Sequence, residues 1–235
     1  MQQEHKTPSE SYFKFTVYGL RYAFRISGLQ EARVALPQIK REKKLPVVLS
    51  CVEVKHLLKA AHLLKHRVLI ALLYGCGLRC FEARNLRLND LDFDRKTLHV
   101  RKGKGGKSRY VPLCDLLIKG LKSYIQAECP QEWLFTGKQP VAGRAGGAFD
   151  SRYSQRGVQW AVKQAAKKAG ISKPITVHTL RHTYATHLLE MGLDIMSVKD
   201  LLGHECIDTT LVYLHVAQTD TCRAFSPLEK LYTPA

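Results

Sequence analysis

The stretch TVHTLRHTYATHLLEMGLDIMSVKDLLGHECIDTTLVYLHV, residues 176–216, decides how this chain reads. It sets His178 and Arg181 three positions apart at the start of an expected helix. A second expected helix stops at Gly203-His204, since glycine just past a periodic run is a helix stop. Tyr213 follows nine residues later in a third expected helix. Imidazoles, a guanidinium and a phenol converge here with few carboxylates between them, a set that suits a phosphodiester better than a carbonyl or a metal. Histidines at 178, 182 and 187 invite a metal reading, because two histidines four apart share a helical face. No H-E-x-x-H carboxylate lies between them, however, and Arg181 would repel a dication, so no metal ligand set is expected. His182 is read as a supporting or packing residue and His187 as structural.

The whole chain fits that chemistry. Its 37 lysines and arginines against 20 acidic residues give a formal charge of +17. Such an excess calls for a polyanionic partner, nucleic acid ahead of a membrane surface. At 235 residues there is room for one sizeable domain with a small appendage. No apolar run reaches a membrane span and the polar start carries no signal-peptide pattern. Seven cysteines without a repeated C-x-x-C read as reduced thiols in a cytosolic protein. Cys76 and Cys80 are accordingly expected in the core.

Taken in order, SESYFKFTVYGLRYAFRIS (9–27) has helical periodicity, ends at Gly28 and exposes aromatic surface. A basic, proline-flanked linker follows, with a domain boundary near residue 45: residues 1–45 are the appendage, 46–235 the main domain. Ser50 and Glu53 fit a capping box, with Val54, Leu57, Leu58 and Ala61 on the buried face. RVLIALLYGCG is apolar almost all round and should be central. Residues 91–113 alternate around two turn signals and predict three short antiparallel strands. Further helices are expected at about 114–128 and 154–168, separated by a short extended piece at Trp133–Phe135 and an exposed Gly-rich loop. The fold class is α+β, mostly α-helical, with a small three-stranded antiparallel sheet.

Two more constellations carry chemistry. Gly77-Leu78-Arg79-x-x-Glu82 puts an arginine just after a glycine corner, which taken alone suits a surface arginine as well as a functional one. RKGKGGKSRYVPL packs five cations and three glycines between residues 101 and 109. GKGGKS imitates the end of a P-loop, but Arg101 stands where a Walker A glycine is needed, and the segment joins two strands rather than a strand and a helix.

Together, G-L-R-x-x-E, G-K-G-x-K-x-R-x-V-P-L, H-x-x-R, L-L-G-H and the tyrosine of Y-x-H-V resemble the tyrosine recombinase (phage integrase) family over about residues 45–217. The resemblance implies catalytic roles for Arg79, Lys104, His178, Arg181, His204 and Tyr213, with Glu82 supporting and Lys107 the nearest competitor of Lys104. It implies a catalytic-domain fold built around a basic groove, a double-stranded DNA partner, a homo-tetramer on DNA, no metal and no other cofactor. A nucleoid-associated, cytoplasmic site of action also follows from it. Family members carry an N-terminal helical domain, of which residues 9–27 resemble the last helix. The expected reaction is strand cleavage and rejoining through a 3′-phosphotyrosyl link. A type IB topoisomerase-like enzyme would share this chemistry, and a non-catalytic DNA-binding module would share only the charge.

Overall fold

A computed structural model describes residues 10–29, 45–101, 108–137 and 150–217. Lys104, Lys107, the linker at 30–44, most of the Gly-rich loop and the tail from 218 lie outside the described residues. The chain divides into two units, Met1–Lys44 and Leu45–Ala235. In the first, helix α1 (Glu10–Ile26) closes at Gly28 (φ 74°), where the Leu29 N–H reaches back to the Phe24 carbonyl at 3.0 Å. That is the 6→1 bond of a Schellman end. Tyr12, Phe15, Tyr18 and Tyr22 of this helix are exposed.

The second unit starts on a full capping box, in which two side chains satisfy two orphan N–H groups reciprocally. The Glu53 N–H donates to Ser50 Oγ (3.2 Å) and the Ser50 N–H to Glu53 Oε2 (2.7 Å), opening α2 (Cys51–Ala60). Helix α3 (Leu64–Gly75) buries Val68, Leu69, Ile70, Leu72 and Leu73. That is more than one stripe, because the helix is covered on several sides. It packs against α5 (Asp115–Glu128) and α7 (Val177–Glu190), while α2 packs against α6 (Gln155–Lys168). Cys76, just past α3, is fully buried, and burial pushes its thiol up to about 12.

Strands β1 (Leu91–Asp92), β2 (Thr97–Val100) and β3 (Arg109–Pro112) form the expected antiparallel sheet in the order β1-β2-β3. Leu98 opposes Val111 and Val100 opposes Arg109. Leu98, Val100 and Val111 enter the core, and on the other face His99 stacks on Tyr110 at 4.7 Å. The two-residue period therefore puts Arg109 on the same face as Val111.

Helix α7 carries many polar residues yet is almost wholly buried, and apart from the Thr186 hydroxyl, which has no partner among the described residues, its buried polar side chains pair with backbone or side chains around it. The Thr183 hydroxyl donates to the Thr179 carbonyl (2.8 Å) and accepts the Leu49 N–H (3.1 Å). His187 Nε2 lies 2.9 Å from the Leu49 carbonyl, and its Nδ1 lies 2.9 Å from the Tyr74 hydroxyl. A carbonyl can only accept, so Nε2 carries the proton and Nδ1 accepts from the tyrosine. Both ring nitrogens are thus engaged, and His187 is structural. Helix α4 (Cys80–Arg84) follows the Gly77 corner, and α8 (Ile195–Leu202) and α9 (Asp208–Leu211) complete the domain. Tyr213, expected inside the last helix, stands two residues beyond it. There the ladder has tightened to i→i+3 bonds. Tyr213 N–H reaches the Thr210 carbonyl at 3.0 Å and Val216 N–H the Tyr213 carbonyl at 3.1 Å.

Candidate active site at the end of helix α8

Helix α8 ends on Gly203 in the left-handed conformation (φ 63°). The end of a helix leaves carbonyls that need donors. The backbone satisfies two of them: His204 N–H bonds to Lys199 O (3.1 Å) and Gly203 N–H to Asp200 O (3.0 Å). Three guanidinium groups meet the next three. Arg109 Nε donates to Leu201 O at 2.8 Å, Arg181 Nη2 to Leu202 O at 2.5 Å, and Arg79 Nη2 to Gly203 O at a long 3.4 Å. Cations are also favoured here by the negative end of the helix dipole. One buried carboxylate, Glu82, faces all three arginines. It accepts a fork from Arg109 (2.9 and 2.9 Å) and a single bond from Arg79 Nη1 (2.9 Å), and lies 3.8 Å from Arg181 Nη1.

The charges feel one another. Burial alone would raise the Glu82 carboxyl, but the Arg109 fork, the Arg79 N–H and the charge of Arg181 hold it at about 2. Hydrogen bonds and cations that favour the charged form have outweighed desolvation. Burial, with Arg79 and Arg109 repelling it, brings Arg181 down to about 10 despite Glu82. Three cations against one anion leave a positive surplus, which is the electrostatic ground state of an anion site.

Gly77 explains why Arg181 sits where it does. Its carbonyl accepts Arg181 Nη1 at 2.6 Å, and its φ is +58°. Glycine adopts that conformation without steric cost. A Cβ at that position would lie 2.4 Å from Tyr184 Cδ1.

Tyr213 and His204 complete the cluster. The Tyr213 ring is buried and stacks on His204 (centroids 6.3 Å apart), and its hydroxyl lies 2.9 Å from His182 Nδ1. His204 Nδ1 pairs with the buried Thr210 hydroxyl at 2.8 Å. Burial first, then the charges of Arg181, Arg79 and Arg109, lowers His204 to about 4. His182 is lowered to about 4 by burial, with His178 and Arg181 adding to it. Burial raises the Tyr213 phenol, against the pull of Arg181 and Arg79.

Of the residues singled out in the sequence, Arg79, Arg181, His204 and Tyr213 come together here from separate segments. His178 is exposed on α7, its ring 6.4 Å from that of His182. Lys104 lies outside the described residues. Two participants were not singled out as such, Arg109 and, as the partner of Tyr213, His182. Arg109 had a legible signal in its alternation with the apolar Val111.

A mostly helical domain that closes a small antiparallel sheet against such a cluster defines the class of tyrosine recombinase catalytic domains. The chain belongs to the phage integrase family, whose model matches residues 47–220. It is 40% identical over 200 residues to a putative integrase/recombinase of Sinorhizobium fredii, covering 85% of this chain and 62% of that one. A second putative integrase/recombinase of the same organism is 39% identical over 222 residues, covering 92% of this chain and 83% of its relative. The chain thus spans less than two thirds of the first relative's length. Among solved structures, the crystal structure of XerA recombinase superposes with a TM-score of 0.66 at 28% identity, covering 97% of this chain and 78% of that one.

Proposed function

We propose that this protein is a site-specific recombinase that cleaves and rejoins double-stranded DNA through a 3′-phosphotyrosyl intermediate. The observation that carries it is the excess of three guanidinium groups over the single carboxylate Glu82, beside a tyrosine and a histidine. A phosphodiester supplies the missing negative charge.

In this reading Tyr213 Oη attacks a backbone phosphorus, forming the P–Oη bond as the P–O5′ bond breaks. Arg79 and Arg181 donate to the non-bridging oxygens, where charge grows in the pentacoordinate transition state. The Thr210 contact occupies Nδ1 of His204 and leaves Nε2 to meet a phosphate oxygen. His178, exposed at the start of α7, receives the phenolic proton by way of His182, whose Nδ1 meets the hydroxyl, and Lys104 protonates the leaving 5′-oxygen. The link keeps the energy of the phosphodiester, so a second 5′-hydroxyl can reverse the step without a nucleotide cofactor. Exchange between two duplexes calls for a homo-tetramer on DNA, with residues 1–45 an appendage to the catalytic domain at 46–235.

The test is a nicked duplex carrying the sequences that flank the protein's own locus. Cleavage beside the nick releases a short strand, religation fails, and a covalent protein–DNA adduct accumulates. No adduct with intact binding would favour a DNA-binding module. Relaxation of supercoils without a preferred site would favour a topoisomerase.

A further inference from the structure

The cluster contains an arginine to which nothing above gives a chemical role. Arg109 is more shielded than Arg79, with side-chain exposures of 10% and 22%, and every contact it makes is internal. Its fork covers both oxygens of Glu82 and its Nε holds the Leu201 carbonyl. Its side chain lies along Gly203, where a Cβ would come within 3.1 Å of Arg109 Cδ and Nη1. A side chain at position 203 would thus crowd Arg109 as well as strain a positive φ.

We propose that Arg109 is a positioning residue that occupies Glu82 so that Arg79 remains available to the phosphate. This rests on the strand-transfer reading above. A carboxylate and a guanidinium left to themselves form a two-bond fork, the strongest geometry open to them. Glu82 makes that fork with Arg109. Arg79 contributes one side-chain bond to Glu82 and one long bond to Gly203, so its donor edge is only partly used. Without Arg109, Glu82 would take Arg79 into the fork and draw it from the reacting phosphate. The end of α8, which carries His204, would also lose the donor to Leu201.

The role predicts a sign reversal that a merely structural residue would not show. On the nicked duplex, Arg109→Ala should slow single-turnover adduct formation by about 10²-fold, the scale of a misplaced catalytic group. The salt dependence of DNA binding should keep its slope, because no phosphate contact is lost. Adding Glu82→Gln to Arg109→Ala removes the competing carboxylate and should speed the reaction by roughly tenfold, within the coupling seen between contacting residues. Arg109→Lys keeps the charge but cannot form the fork, and should be slow at a near-normal melting temperature. That variant keeps the test valid if Arg109→Ala does not fold. A double variant no faster than Arg109→Ala, or a wild-type rate for Arg109→Lys, overturns the positioning role while leaving the adduct of the unsubstituted protein in place. Absence of adduct in the unsubstituted protein overturns the strand-transfer reading, and this role with it.

Discussion

The Tyr213 hydroxyl pairs with Nδ1 of His182 at 2.9 Å, not with His178 one helical turn earlier on α7. The nucleophile of the proposed reaction is thus held by a neutral imidazole in a buried site, its phenol raised by burial. His182 is neutral at physiological pH because it titrates near 4. The contact fixes the ring orientation without ionising the hydroxyl.

Tyr213→Phe removes only the oxygen from this arrangement. The ring keeps its stack on His204. Stability should therefore change by no more than about 1 kcal/mol, the size of one hydrogen bond. Adduct formation should disappear while binding persists. Tyr184, the other tyrosine of the stretch, packs against Gly77, and burial pushes its phenol up to about 12. A protease-sensitive adduct formed by Tyr213→Phe would move the nucleophile to another residue.

Acid should unfold the domain in two successive windows. His182 and His204 titrate near 4 in the fold against an ordinary 6.5. Between those values the unfolded chain binds more protons, so their contribution is complete above about 6.5 and lost as pH falls to about 4. Glu82 is held at about 2 against an ordinary 4.5, so its contribution is complete above 4.5 and lost on approach to 2. Melting temperature measured against pH should fall through both windows. His182→Gln should shrink the upper one to the share of His204 and leave the lower one in place.

Two glycines with positive φ separate strain from space. Gly170 has a φ of +67° and nothing within 4 Å of an added Cβ. Gly170→Ala should cost only the left-handed penalty of about 1–2 kcal/mol. Gly77→Ala meets the Tyr184 ring as well. Overpacking there adds about 1–3 kcal/mol. It also disturbs the carbonyl that holds Arg181, so catalysis should fall beyond what the lost stability explains. Urea denaturation beside adduct kinetics measures both. Equal stability losses at the two sites would refute the contact with Tyr184.

Much of this was legible in the sequence because it is local chemistry. Ser50 and Glu53 announce α2 by reciprocal capping, Gly170 and Gly203 end α6 and α8, and alternation at 91–113 marks the sheet. By resemblance to the family, the G-L-R-x-x-E, H-x-x-R and L-L-G-H motifs marked Arg79, Arg181 and His204, which do converge, and His178, which stays exposed on α7. What stayed hidden depends on which side of an element folds inward. Arg109 was one of five cations in a hairpin; its alternation with Val111 marks the inward face, but Glu82 as its partner is visible only in the fold. His182 and His178 share a helix face, and only the tightened turns after α9 decide which of them meets the Tyr213 hydroxyl. Long-range pairing across more than a hundred residues, as between Arg79 and Gly203, leaves no trace in local periodicity.

Binding to DNA should weaken steeply with salt. The formal +17 charge favours phosphate contacts. Each phosphate neutralised lowers the slope of log K against log salt by about 0.9. Titrations of a labelled duplex at several salt concentrations give the number of contacts. An affinity unchanged over a several-fold salt range would argue against a phosphate-tracking groove.

Lys104 allows the sharpest separation of roles. As the general acid it neutralises the departing 5′-alkoxide, a contribution of roughly 10²–10⁴-fold. A substrate with sulfur in place of the bridging 5′-oxygen loses a thiolate, which departs without a proton. Lys104→Ala should therefore be slow on ordinary DNA and largely restored on the sulfur-bridged duplex. Arg79→Ala and Arg181→Ala should remain slow on both, because the non-bridging oxygens they serve are unchanged by the substitution. Lys107→Ala should affect binding more than chemistry. Rescue of Lys107→Ala instead of Lys104→Ala would transfer the acid role to Lys107, and rescue of neither would leave the 5′-oxygen to be protonated by some other group.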